Sequence, residues 1–161
     1  MASKSMKVEL VERNGHKQQQ ICIPDGKMLV NGQWREAISG QRFETINPAT
    51  GEVLATVADS QREDVDLAVQ AARQAFPGWS TTHPADRGKL LYRLAQRIDE
   101  LRQELCVLDT LDNGKSISEM QRADMPMVID SLEYYAGWAD KDHGDTIPVR
   151  GDFFAYTQRI P

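Results

Sequence analysis

The chain has 161 residues, a mass of 18.1 kDa and a formal net charge of −5. This length suits one ordinary domain, and the 40% hydrophobic and 27% charged content is typical of folded proteins. Basic residues are spread along the chain rather than gathered in a stripe, which argues against a nucleic-acid partner. No apolar run has membrane-spanning length and no signal-peptide core begins the chain, so we expect a cytoplasmic protein without membrane contact.

The cysteines and histidines do not predict a metal site. Cys22 and Cys106 have neither metal spacing nor a disulfide framework around them. We expect both to be structural thiols, because a buried free cysteine behaves as a small hydrophobe. The histidines, His16, His83 and His143, are scattered and lack the spacing of a metal-binding pair.

The first 27 residues are polar and contain one hairpin signal. Segments 8–11 and 21–23 flank Asn14-Gly15, a pair that favours the positive backbone angles of a tight turn. The pattern fits an added hairpin or a loose tail, and the sequence does not decide between them.

Residues 28–60 are predicted to form strands joined by turns. Two strand pairs are expected, each around a turn that contains Asn and Gly. Their parts are 28–30, Asn31-Gly32 and Trp34 for the first pair, and 43–46, 47–51 and 53–57 for the second.

After residue 60 the apolar residues take a helical period. Ser60 and Glu63 have the spacing of a capping box, which predicts a helix over about 61–76. Its inward face is predicted to carry Val65, Ala68, Val69, Ala72 and Phe76. We expect Pro77-Gly78 to end this helix, because proline cannot donate to the helix ladder.

Two more helices are predicted. One begins near Pro84 and ends at Gly114; its apolar stripe indicates core packing, being too short for a coiled coil. That stripe comprises Leu91, Leu94, Ile98, Leu101, Leu105 and Leu108. The other covers about 124–140, with Asp124 as its N-cap and a proline in its first turn. Its inward residues are predicted to be Val128, Ile129, Leu132, Tyr135, Ala136 and Ala139.

Three unusual segments occur in a fixed order along the chain: 47–52 (NPATGE), 110–115 (TLDNGK) and 134–140 (YYAGWAD). A fourth, 143–157, reads as a strand, a turn at Arg150-Gly151-Asp152 and a second strand. With this order and these separations, residues 28–161 resemble the N-terminal portion of NAD(P)-dependent aldehyde dehydrogenases.

The resemblance implies an α+β fold of N-terminal β-hairpins, about three amphipathic helices and a C-terminal hairpin of the oligomerisation type. It implies that residues 28–144 are an incomplete part of that family's α/β, Rossmann-like coenzyme domain. Residues 145–161 would be the oligomerisation hairpin and residues 1–27 an N-terminal extension or extra hairpin.

Members of the family oxidise aldehydes with a cysteine thiolate, oxyanion donors, a glutamate base and NAD or NADP. The resemblance implies that this chain stops before all of these groups. Cys106 falls in a helical stripe and Cys22 precedes the family region, so neither matches the nucleophile. No Gly-x-Gly-x-x-Gly is present to hold a dinucleotide phosphate. We therefore expect no catalytic residue, no tightly bound coenzyme and no activity from this chain alone.

One weak cation site is implied by the resemblance. Asp112, with backbone carbonyls near Thr45 and Ile46, matches the place where some relatives coordinate Na⁺ or K⁺, and oxygen ligands suit such hard cations. Asp112 would otherwise serve only in the turn at the helix end beside Asn113-Gly114. Both readings remain open.

The aromatic run Tyr134-Tyr135 and Trp138 also has two readings. In relatives this helix lies near the substrate tunnel, which points to a ligand pocket. A packed aromatic helix face is the simpler reading for Tyr135, whereas the sequence leaves Tyr134 and Trp138 undecided.

The C-terminal hairpin is the segment most suited to contact with another chain. Unpaired backbone groups on its edge favour pairing with a second subunit. The candidate contact residues are Ile147, Val149, Phe153, Phe154 and Tyr156. We expect a homo-oligomer, or association with a full-length relative, through residues 146–157. Two functions are thus carried forward: a truncated aldehyde dehydrogenase, inactive alone, and a non-catalytic self-assembling or regulatory module.

Overall fold

A computed structural model describes the backbone of residues 7–13 and 16–160 and the side chains of residues 23–160. The predicted Asn14-Gly15 turn lies outside the described residues. The strands are β1 (Lys7–Arg13), β2 (His16–Cys22), β3 (Met28–Val30), β4 (Gln33–Arg35), β5 (Arg42–Ile46), β6 (Val53–Ala58), β7 (Thr146–Ile147) and β8 (Ala155–Tyr156). The helices are α1 (Arg62–Ser80), α2 (Pro84–Glu100), α3 (Arg102–Asn113), α4 (Ile117–Glu119) and α5 (Met125–Trp138), with a π-helical turn, Met120–Asp124, between the last two. The α+β prediction is confirmed.

The strands form two-stranded antiparallel sheets, each made of consecutive strands. β1 pairs with β2 from Lys7↔Cys22 to Arg13↔His16, so the described backbone before β3 contains an antiparallel strand pair. The predicted turn at Asn31 and Gly32 is confirmed, because both residues have positive φ angles of 51° and 71°.

The β5–β6 sheet is held by the turn between its strands and by one arginine. Asn47 closes the turn, accepting a backbone hydrogen bond from Gly51 at 2.8 Å and donating one to Glu52 at 2.9 Å. The guanidinium of Arg42 donates to the carbonyls of Gly26 and Thr56 at 3.1 and 2.9 Å. These bonds attach the segment before β3 to the edge of β6.

The N-terminus of α1 differs from the predicted capping box by one residue. Gln61, not Ser60, is the N-cap, and the Asp64 carboxylate accepts the backbone N–H of Gln61 at 3.0 Å. The other carboxylate oxygen of Asp64 accepts the N–H of Ile38 at 3.0 Å. Asp64 is buried at 2% exposure, so one carboxylate both caps α1 and ties it to the chain that follows β4.

The prediction that Pro77-Gly78 ends α1 is wrong, because the helix continues to Ser80. A proline this close to the helix end removes only one ladder hydrogen bond. The hydroxyls that follow satisfy the last carbonyls: Thr81 donates to the carbonyl of Pro77 at 3.1 Å, and Thr82 donates to that of Gly78 at 3.0 Å.

The predicted inward face of α1 is also wrong. Val65, Val69 and Phe76 are about half exposed, at 54%, 43% and 48%. Among the described residues α1 packs only lightly on β3, so its apolar stripe has little to cover it.

The long second helix is two helices. α2 and α3 meet at Leu101, whose ψ of 8° interrupts the helical geometry while its N–H still reaches the carbonyls of Arg97 and Ile98. Gly114 ends α3 as predicted, with a left-handed φ of 83° and a 3.0 Å hydrogen bond to the carbonyl of Thr110.

Asp124 does not cap the last helix, contrary to the prediction. Helical backbone begins earlier, where the Ser116 hydroxyl accepts the N–H of Glu119 at 3.2 Å, and passes through the π-helical turn into α5. Asp124 instead forms an ion pair with Lys115.

α2 and α5 form the closest helix pair. A Cβ placed on Gly88 of α2 would lie 2.6 Å from the carbonyl oxygen of Ala136 and 3.3 Å from the Cβ of Ala139. Only glycine permits this approach without displacing backbone. The hydrophobic core of the described residues is small. Cys106, Met120 and Met125 are buried in it, and Ile98, Leu105 and Ile129 pack around them.

Candidate functional site

An apolar cleft of about 710 Å³ lies between the β5–β6 sheet and α3, the π-helical turn and α5. Its walls are mostly hydrophobic, and two carboxylates, Asp109 and Asp112, stand on its α3 side. The lining residues are Ile23, Pro24, Gly26, Thr45, Leu54, Ala55, Val57, Ile98, Leu105, Leu108, Asp109, Asp112, Met120, Met125 and Val128.

The cleft brings together two of the three residues predicted to hold a cation. Thr45, on β5, and Asp112, near the end of α3, both line it, whereas Ile46 does not. Ile46 follows a bulge between Thr45 and Ile46 in the sheet and is 52% exposed. Across residues 23–160, no three His, Cys, Asp or Glu side chains gather as a metal site.

The turn at the end of α3 does not use Asp112. Its hydrogen bond runs from the N–H of Gly114 to the carbonyl of Thr110, and both groups belong to the backbone. The Asp112 side chain is exposed on the cleft and has no hydrogen bond with any described residue. The Asp112 side chain thus takes no part in the hydrogen bond that closes this turn, and its two readings, a cation ligand or a helix-end residue, stay predictions.

Two of the distinctive segments meet beside this cleft. A Cβ on Gly114 would lie 2.7 Å from Cγ of Pro48, so the turn between β5 and β6 is seated directly on the end of α3. The next residue, Lys115, reaches forward to Asp124, and this hydrogen bond is the main reason that the pKa of Lys115 is raised. Sequence reasoning missed both contacts, because residue types alone do not show which turns touch.

The aromatic run lines a second groove, of about 690 Å³, at the junction of α2 and α5. Tyr135, predicted to be core, is 64% exposed, and Tyr134 and Trp138 are exposed at 58% and 48%. The rings of Tyr134 and Tyr135 meet edge to face with centroids 5.2 Å apart. The packed-core reading of Tyr135 is wrong, because Gly88 and Ala136, rather than the aromatic rings, form the α2–α5 contact.

Cys106 is a structural thiol, as predicted. It is 0% exposed and packs with Met120 and Met125 in the core. A thiol that an aldehyde cannot reach is not a nucleophile for one. The side chain of Cys22 is outside the described part of the chain.

The C-terminal hairpin is shorter than predicted. Its strands have two residues each, paired Thr146↔Tyr156 and Ile147↔Ala155, and Gly151 supplies a left-handed φ of 87° in the turn. Asp145 and Thr157 extend the pairing by two hydrogen bonds of 2.8 Å. All five predicted contact side chains are exposed: Ile147 44%, Val149 45%, Phe153 80%, Phe154 75% and Tyr156 63%.

The geometry describes an α+β segment whose one described thiol, Cys106, is buried, and which carries an apolar cleft and an exposed hairpin. Residues 34–161 match the model of the aldehyde dehydrogenase family. The chain belongs to the aldehyde dehydrogenase family.

Similar proteins belong to the same family. The mitochondrial aldehyde dehydrogenase of Rattus norvegicus is 49% identical over 138 residues, which are 84% of this chain and 27% of the relative. A putative aldehyde dehydrogenase of Bacillus subtilis is 47% identical over 137 residues, with 84% and 28% covered. The chain thus spans about a quarter of the length of the curated relatives it matches.

Solved structures agree with the fold. The NAD⁺ complex of aldehyde dehydrogenase from Bacillus cereus superposes with a TM-score of 0.79 at 45% identity, covering 82% of this chain and 27% of that one. PnpE in complex with nicotinamide adenine dinucleotide gives 0.80 at 37% identity, with 83% and 28% covered.

Within the described part of the chain, no helix combines the length and apolar character needed to cross a bilayer.

Proposed function

We propose that this chain is part of the coenzyme-binding domain of an NAD(P)-dependent aldehyde dehydrogenase and does not oxidise aldehydes alone. The observation that carries the proposal is the complete burial of Cys106 among Met120 and Met125. The family reaction needs an accessible thiolate, which attacks the aldehyde carbon before hydride passes to the nicotinamide. Cys22 lies before the segment that matches the family model.

The coenzyme would be bound by the complete enzyme rather than by this segment. Two solved homologues hold NAD, which supports NAD as the coenzyme of the complete protein. The chain has no Gly-x-Gly-x-x-Gly, and a dinucleotide phosphate needs such a close backbone approach at a helix N-terminus. We therefore propose that the isolated chain binds neither NAD nor NADP tightly.

The activity assay follows NADH absorbance with the purified chain, NAD⁺ and a short aliphatic aldehyde. No NADH formation is the expected result. If NADH does form, Cys22→Ser and Cys106→Ser are assayed as separate variants. Loss of turnover in either one would contradict the proposal, because it would identify a working nucleophile within this chain.

A weak Na⁺ or K⁺ site is proposed at Thr45, Ile46 and Asp112. Two observations support it: Thr45 and Asp112 line the same cleft, and the Asp112 carboxylate has no hydrogen bond with a described residue. A chain titrated with K⁺ should gain thermal stability that Asp112→Asn loses, while Asp130→Asn keeps it. Equal gains in both variants would remove Asp112 from the proposed site.

A second candidate function is self-assembly through the C-terminal hairpin, here residues 146–157. Phe153 and Phe154 are exposed at 80% and 75%, and exposed aromatic side chains on a short hairpin mark a protein contact surface. Under this candidate the chain is a non-catalytic module that joins a second copy or a full-length relative. Native mass of the purified chain tests it: a defined oligomer supports the module, and a monomer contradicts it.

The domain limits and the compartment belong to the same proposal. We assign residues 1–27 to an N-terminal extension, 28–144 to the coenzyme-domain segment and 145–161 to the oligomerisation hairpin. We propose a cytoplasmic location; the similar proteins include mitochondrial and cytosolic aldehyde dehydrogenases. Fractionation of cells expressing the tagged chain tests the compartment.

A further inference from the structure

The α3 side of the cleft carries two carboxylates that belong to one helix face. Asp109 and Asp112 are three residues apart, which makes them neighbours on the surface of α3. Both line the cleft together with Thr45. Neither carboxylate has a hydrogen bond or an ion pair with a described residue. This side of the cleft therefore presents two negative charges that no described basic side chain pairs with.

A basic residue follows the same helix end, but its ammonium group is bound to a different acid. Lys115 forms a hydrogen bond and an ion pair with Asp124. The two side chains are 33% and 25% exposed, so water shields this pair only in part. Neither Lys115 nor Asp124 lines the cleft. The ammonium is thus kept outside the cleft, while the two carboxylates of α3 stay unpaired.

The ammonium of Lys115 is nevertheless within electrostatic reach of the cleft. The hydrogen bond from Asp124 is the main cause that raises the pKa of Lys115, and the charges of Asp124, Glu119 and Asp109 raise it further. A lysine ammonium stands on a flexible four-carbon stem, so it can change partners without movement of the backbone. Lys115 released from Asp124 would therefore turn toward Asp109.

The π-helical turn, Met120–Asp124, connects the position of Asp124 to the wall of the cleft. Its closing hydrogen bond runs from the N–H of Met125 to the carbonyl of Met120. These two methionines are buried, at 5% and 6% exposure, and both line the cleft. A π-helical turn inside a helix is rare and is frequently found at functional sites. The backbone that builds one wall of the cleft therefore also places the carboxylate that binds Lys115.

We infer that Asp124 is a positioning residue for the Na⁺ or K⁺ site, because it holds the Lys115 ammonium away from Asp109 and Asp112. The inference rests on the cation site proposed above. A bound cation and a lysine ammonium carry the same charge and compete for the same carboxylates. With Lys115 held by Asp124, the carboxylates are available to the cation. Without Asp124, the chain supplies its own cation and the site loses affinity.

The test follows the thermal unfolding midpoint of the full chain while K⁺ replaces tetramethylammonium at constant ionic strength. This exchange keeps the screening of the net charge of −5 the same throughout. We expect K⁺ to raise the midpoint of the unaltered chain. Asp124→Asn should raise the K⁺ concentration that gives half of this gain by about tenfold or more, because the released ammonium pairs with Asp109. Asp130→Asn, at an exposed position of α5, is the matched control and should leave that concentration unchanged.

Removal of the ammonium separates positioning from a merely structural role of the ion pair. Lys115→Met loses the charge and should respond to K⁺ at least as well as the unaltered chain. The double variant Lys115→Met/Asp124→Asn should recover the K⁺ response that Asp124→Asn loses. An ion pair that only held the fold would give the same K⁺ response in both single variants and no recovery in the double variant. Either of these results would overturn the inference, and the midpoint in tetramethylammonium gives each variant its own baseline.

The cation site and the positioning role fail in different ways. If K⁺ stabilises the unaltered chain and not Asp112→Asn, while Asp124→Asn responds as the unaltered chain does, the cation site stands and the positioning role is contradicted. If the unaltered chain and Asp112→Asn respond to K⁺ alike, the cation site itself is contradicted, and the role of Asp124 is contradicted with it.

Discussion

The α2–α5 helix pair and the C-terminal hairpin differ in how much of their apolar surface is buried within the chain. In the helix pair, Gly88 lets backbone meet backbone, and Ala95 and Ala136 are buried at 0% and 5% exposure. In the hairpin, strands of two residues carry aromatic side chains such as Phe153, which is 80% exposed. The helix pair is stabilised by contacts within the chain, whereas the hairpin presents its apolar groups to water.

This difference separates residues that hold the fold from residues suited to contact other molecules. Small residues lie at the closest contact between the helices, and Tyr135 is left outside it at 64% exposure. A substitution in the helix pair should therefore change the free energy of unfolding. A substitution in the hairpin should change assembly and leave that free energy nearly constant.

The largest effect is expected for Gly88→Val. Its branched side chain would collide with the carbonyl oxygen of Ala136, where even a Cβ would lie at 2.6 Å, and the backbone there cannot yield. We expect a loss of about 3 kcal/mol in the free energy of unfolding, measured by urea denaturation. Gly78→Ala is the control, because nothing lies within 4 Å of that position. An unchanged urea midpoint for Gly88→Val would show that the helices are not closely packed.

The next effect is expected for Asp64→Ala. It removes the acceptor for the backbone N–H groups of Ile38 and Gln61, in a place that is 2% exposed. We expect a loss of roughly 1–3 kcal/mol in thermal or urea unfolding. Asp66→Ala, at an exposed position two residues along α1, should change it little. Similar losses in the two variants would mean that the buried carboxylate does not hold the strands to α1.

A smaller, pH-dependent effect is expected at Asp25. The Thr56 hydroxyl donates to its carboxylate at 2.7 Å and the Thr56 N–H at 3.0 Å, and these bonds lower the pKa of Asp25. A lowered pKa in the folded state gives stability that is present above the unfolded value and is lost as pH falls through the folded value. Asp25→Asn should therefore flatten the decline of the unfolding midpoint below roughly pH 4. An identical decline in both proteins would contradict this.

The smallest change in stability is expected for Phe154→Ser. The side chain is 75% exposed, so its loss should alter the free energy of unfolding by no more than about 0.5 kcal/mol. Native mass should nevertheless shift toward the monomer if the hairpin assembles copies of the chain. Ile117→Ser, at 37% exposure on α4, is a control outside the hairpin. A stability loss without a change in mass would place Phe154 among the residues that hold the fold.

Local sequence signals predicted the turns and the helix end well. Asn31-Gly32, the turn that Asn47 closes and Gly114 were all found, because each depends on backbone angles that few residues adopt. The predicted capping box of Ser60 and Glu63 is displaced by one residue, because the N-cap is Gln61 and the Asp64 carboxylate accepts its backbone N–H.

The failed predictions of helix faces depended on what lies opposite each face. The apolar periods of α1 and α5 were read as inward, but Val65 and Tyr135 face solvent because no described element covers them. The sequence also could not show that Pro48 is seated on Gly114, or that Thr45 and Asp112 share a cleft. Gly88 offered a signal, because an isolated glycine within a helical pattern commonly marks close packing.

Because Cys106 is buried, the rate at which its thiol is alkylated can report how often the core opens. The sequence has two cysteines, so Cys22→Ser leaves a single thiol that is 0% exposed. An alkylating reagent can reach that thiol only when α3 separates from the π-helical turn and α5, so the reaction rate measures how often the core opens.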